Sequence, residues 1–148
     1  MTSTAAASAG SGRQDLRGPV AWGVVLGVVQ GALPFVLPWW DPATVCALGL
    51  TLVAAVYVGF AVADGRRNVV AVEVGVASGF VAIAVAATTG SPWLIVAGLA
   101  AHGVKDFWQH RIQFVAGTRW WPPFCAAVDW VAAGVVAVAI MSGALLLS

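Results

Sequence analysis

Apolar residues run through this chain in five stretches of about 20 residues, each closed by a short polar or proline-bearing break. The stretches cover approximately residues 19–37, 43–63, 69–89, 92–111 and 123–147. None alternates apolar and polar positions as a barrel strand does, and each matches the roughly 20 residues a helix needs to cross a hydrocarbon core about 30 Å thick. A backbone group left unpaired in that solvent has no partner, so the pattern predicts helices. The breaks have local causes. Pro38 and Pro42 bracket Trp39-Trp40-Asp41, Asp64-Gly65-Arg66-Arg67-Asn68 is polar, Gly90-Ser91-Pro92 supplies a turn and a helix start, and Pro122-Pro123 opens the last run. The predicted fold class is therefore an all-α membrane protein, a bundle of about five transmembrane helices forming one domain over residues 18–148. An Ala/Ser/Gly-rich segment, residues 1–17, is predicted to be a disordered cytoplasmic tail.

Composition agrees with this picture. Hydrophobic residues make up 61% of the 148, charged residues 9%, and the mean hydropathy is +0.93, which leaves no length for a separate soluble catalytic domain. The distribution of charge adds an orientation, because Lys and Arg are retained on the cytoplasmic side. With the N-terminus inside and five crossings, Arg13, Arg17, Arg66, Arg67, Lys105, Arg111 and Arg119, all seven basic residues, fall on that side, and the C-terminus falls outside. Trp39, Trp40 and Trp93 would then mark the outer interface, and Trp22, Trp108, Trp120 and Trp121 the inner one. Since topology accounts for the basic residues, nucleic acid is not an expected partner. The lipid bilayer is. Gly23, Gly27 and Gly31, and again Gly75 and Gly79, form small-xxx-small faces. Such faces serve either packing within the chain or, for the first set, a homodimer or larger membrane complex.

The chemistry is concentrated in the fourth run. His102, Asp106 and His110 recur every four residues, giving a slowly drifting polar stripe on a helix. Imidazole and carboxylate one turn apart can bind a metal jointly, or one can orient the other. Two more acids lie inside apolar runs, Glu73 in the third and Asp129 in the fifth. Ionisable groups there are costly and usually face the bundle interior, so Glu73, His102, Asp106 and Asp129 are expected to converge in the cytoplasmic half, with His110 at the mouth of a polar cavity and Tyr57 as a further lining residue. Asp64 is accounted for by an Asp-Gly turn.

Three readings of this cluster stay open. The first is a divalent metal site for zinc, iron or manganese with His102, Asp106, His110, Glu73 and Asp129 as candidate ligands. His102 and His110 are separated by about 12 Å along the helix, too far to share one ion unless the helix breaks. The second is a structural polar network in which Lys105 and Arg111 neutralise the acids. The third is a proton or ion pathway. As an enzyme, the chain would use Glu73, His102, Asp106 and Asp129 as candidate catalytic groups, acting on a lipid-like substrate from the inner leaflet. As a non-catalytic subunit it would dock a larger membrane partner. A small proton-coupled carrier is the remaining alternative.

The His102-Gly103-x-x-Asp106-x-x-x-His110 helix, preceded by Ser91-Pro92-Trp93-Leu94, resembles that of a group of small bacterial multispanning membrane proteins of unknown function. The similarity covers chiefly the fourth run and the polar turn before the third, including Glu73. It implies a multi-pass protein of the bacterial cytoplasmic membrane and no particular activity.

Overall fold

The computed structural model describes residues 16–37 and 39–144. Most of the segment predicted as a tail, with Arg13, lies outside the described residues, as do Pro38 and the C-terminal residues 145–148. Among the described residues five helices follow in order: α1 Arg17–Val36, α2 Pro42–Asp64, α3 Arg67–Thr89, α4 Trp93–Ile112 and α5 Trp121–Met141. Among them, α1, α2, α3 and α5 are long and apolar enough to cross a membrane. The fourth has a similar length but carries His102, Lys105, Asp106, Gln109, His110 and Arg111.

Local chemistry sets the helix ends. Asp41 caps α2 by accepting from the Thr44 backbone N–H at 2.7 Å and the Thr44 hydroxyl at 2.6 Å, with Pro42 in the first turn. These two bonds to the carboxylate hold the Asp41 carboxyl below its usual value. Gly65 closes the same helix at φ 81°, a left-handed conformation that glycine adopts without strain. The fifth helix ends at Met141 rather than near 147, where Ser142 turns its hydroxyl onto Ala139 O and Gly143 takes φ 81°.

The polarity of the bundle is inverted relative to a soluble domain. Outward-facing positions include Val25, Val29, Leu48, Leu52, Val62, Val85 and Val138, whereas the buried set is rich in alanine and includes Glu73, His102, Asp106, Gln109 and Asp129. An apolar coat of this extent suits lipid and would drive aggregation in water. Small residues let the backbones approach. Gly23 packs on Phe124 and Ala127, Gly27 on Val128 and Val131, and Gly31 on Val135, so α1 and α5 run parallel in close contact and the glycine face of α1 is covered within the chain. Gly75 and Gly79 differ from the expectation: a Cβ at either would meet nothing within 4 Å.

Asp64 does more than make a turn. It forms a two-point ion pair with Arg66 at 2.6 and 2.7 Å and accepts from the Ala116 backbone N–H at 2.7 Å, while Arg66 donates to Phe114 O. The α2–α3 turn and the α4–α5 loop are thereby latched together at one end of the bundle.

Candidate functional site

The site is assembled on α4, which packs antiparallel to α5 and presents one face to α2 and α3. Residues 102, 106 and 109 stand at about 0°, 40° and −20° around the helix axis. All three are buried, at 0–1% exposure. Across from them α5 presents Asp129, also at 0%.

His102 Nδ1 lies 2.7 Å from Asp129 Oδ2 and 3.5 Å from Asp106 Oδ2. The imidazole is held by rings as well as by charge: Phe80 meets it edge-on with centroids 4.8 Å apart, and Tyr57 lies at 6.0 Å. One ligand-type atom from each of His102, Asp106 and Asp129 falls within 4.8 Å of the other two. The edge of a tetrahedral zinc shell with bonds near 2.0 Å is about 3.3 Å, so the His102–Asp129 contact would lengthen slightly, and any wider separation in the set would close, to reach coordinating distance. Several buried atoms have no hydrogen-bond partner among the described residues: His102 Nε2, both oxygens of Asp106, Asp129 Oδ1 and the Tyr57 hydroxyl. Buried polar atoms are seldom left this way.

Glu73 belongs to a neighbouring group. Its Oε2 pairs with Lys105 Nζ at 2.9 Å and its Oε1 accepts from Gln109 Nε2. Lys105 in turn stands over the Tyr57 ring, 3.6 Å from the centroid. Lys105 is thus committed to Glu73, and Arg111 lies over the Phe107 ring at 4.9 Å. Among the described residues, neither Asp106 nor Asp129 is paired with Lys or Arg.

His110 is not brought to the triad. Eight residues beyond His102, it is rotated by about 80° and displaced by about 12 Å, and its ring lines a groove between α1, α4 and α5. Nor does a polar cavity open at the triad, because at 0% exposure the three side chains are closed off from solvent. Tyr57 and Phe80 help to fill the volume beside them.

Gln109 was absent from the residues expected at the site, although it continues the stripe at i, i+4, i+7 more closely than His110 does. Cys125 is another absentee. It stands one turn before Asp129 on α5, packs against the group around Tyr57, and lies within electrostatic reach of Asp106 and Asp129. No family model, curated protein or solved structure matches the chain.

Proposed function

We propose that the chain is a five-span protein of the bacterial cytoplasmic membrane, with its basic ends in the cytoplasm and its C-terminus outside, and that its function centres on a divalent cation held by His102, Asp106 and Asp129. In this reading α4 also crosses, bringing the spans from four to five, because its polar residues 102, 106 and 109 turn inward. The observation that carries the cation reading is the convergence of two carboxylates and an imidazole, with ligand atoms within 4.8 Å of one another. Among the described residues, these two carboxylates have no Lys or Arg partner and share a dry interior with a histidine, and carboxylates buried as charges are expensive unless neutralised. A divalent ion bound to two carboxylates and a neutral imidazole gives an electroneutral site, and zinc, iron and manganese suit that ligand set. Tyr57, beside Asp106, would orient that carboxylate from the second layer.

The 2.7 Å contact between His102 and Asp129 favours a second reading, in which protons do the neutralising. An imidazolium, one carboxylate and one carboxylic acid also sum to zero, and the role is then structural or proton-handling. Catalysis on a lipid-like substrate would require the packing around the triad to open.

Metal analysis of the full chain purified in mild detergent separates the two. The cation reading expects one equivalent of a divalent metal in the wild type, loss of it in His102→Ala and retention in His110→Ala. Metal-free protein that stays so after incubation with zinc or manganese would leave only the proton reading.

A further inference from the structure

A groove of about 240 Å³ lies between α1, α4 and α5, away from the triad, and is walled chiefly by Leu16, Val20, Phe107, Pro123, Ala126 and Trp130. Among the described residues its one ionisable wall is His110, whose Nδ1 is buried with no hydrogen-bond partner there. The groove is also polarised along its length. Leu16, His110 and Pro123 stand where α1 begins, α4 ends and α5 begins, whereas Trp130 is about 10 Å deeper along α5. At the shallow end Arg111 is fixed over the Phe107 ring that walls the slot. An apolar slot with an imidazole and a guanidinium at its interfacial end complements a molecule with an alkyl chain and an anionic head.

We propose that this groove binds one anionic phospholipid of the surrounding bilayer, its acyl chain along Phe107, Ala126 and Trp130 and its phosphate at His110 and Arg111. The imidazole at the groove wall donates an N–H to a phosphate oxygen, and the guanidinium supplies the charge. The chain fills apolar volume that the helices leave open. This inference rests on the membrane reading and is independent of the cation centre.

The test is native mass spectrometry of the full chain in mild detergent, with phosphatidylglycerol and phosphatidylcholine of matched acyl chains at equal concentration. Retention of phosphatidylglycerol should exceed that of phosphatidylcholine, and Arg111→Gln should cut its binding about fivefold, the worth of one basic contact near the interface. Val20→Trp, filling the slot from its open side, should remove binding of both lipids, while Val29→Trp, elsewhere on the same helix and 53% exposed, should leave binding unchanged. Equal retention of the two lipids, or undiminished retention in Val20→Trp, would overturn the proposal. Arg111 is exposed, so its variant tests the headgroup contact even if Val20→Trp misfolds. Release of the wild-type chain from membranes by alkaline carbonate would overturn the membrane reading and the lipid site together. A chain that resists extraction and shows no lipid preference overturns the lipid site alone.

Discussion

Replacing Gly27 probes the contact on which the bundle most depends. A Cβ built at this position stands 2.7 Å from Val128 O, 2.8 Å from Val131 Cβ and 3.1 Å from Val128 Cα. Two of these are backbone atoms of α5, which cannot swing aside. Ordinary carbon contacts lie at about 3.5–4.0 Å, so the helices would have to part by about 0.7–1 Å, loosening the flanking contacts at Gly23 and Gly31 as well. Overpacking of this kind costs about 1–3 kcal/mol, and the better helix propensity of alanine returns about 0.5–1 kcal/mol. Gly27→Ala should therefore lose about 1–2 kcal/mol, and Gly27→Leu more. Gly59 supplies the contrast: it is also helical, but a Cβ there meets nothing within 4 Å, so Gly59→Ala should hold or slightly raise stability. Thermal unfolding in mild detergent, followed by tryptophan fluorescence, reads both. A Gly27→Ala variant melting with or above Gly59→Ala would refute the seating of α5 on α1.

Three further outcomes follow from particular contacts. Lys105→Met should destabilise the fold by about 3–5 kcal/mol, because it leaves Glu73 buried without its cation, and adding Glu73→Gln should recover much of the loss; a double variant no better than the single one would mean that the pair does not act as a unit. Asp41→Ala should cost about 1 kcal/mol as a lost cap. Because the Asp41 carboxyl is held below its usual value, the same increment should be present near neutrality and fade in wild type as pH falls below about 4; an equal difference between the two proteins at pH 7 and pH 2 would argue against it. A reporter fused after Ser148 should be active only outside the cytoplasm, and activity inside would mean an even number of crossings.

Much of the fold was legible because lipid imposes length. A run of about 20 apolar residues admits few structures, and predicted ends such as 43–63 fall within a few residues of Pro42–Asp64. The His102/Asp106 pair was legible from periodicity, and Asp129 from the cost of an acid in an apolar helix. The partition of the acids was not. Which carboxylate meets which helix depends on rotation and register, and a face of α3 that meets Lys105 and Gln109 sends Glu73 to them rather than to His102. The expectation that His110 sits at the mouth of the cluster assumed the stripe would drift little over two turns, whereas about 80° of rotation carries it to another groove. The openness of Gly75 and Gly79 was equally beyond reach, since small-residue spacing marks a face able to pack without saying what packs on it.

Whether His102, Asp106 and Asp129 hold a cation decides what the bundle is for. X-ray absorption at the metal edge, on full chain purified in mild detergent and loaded with one equivalent of zinc, addresses it most directly. The predicted spectrum has one imidazole and oxygen donors at about 2.0–2.2 Å, and Asp129→Asn alters it. A sulfur shell near 2.3 Å, or a shell of exchangeable water alone that Asp129→Asn leaves unchanged, would contradict it.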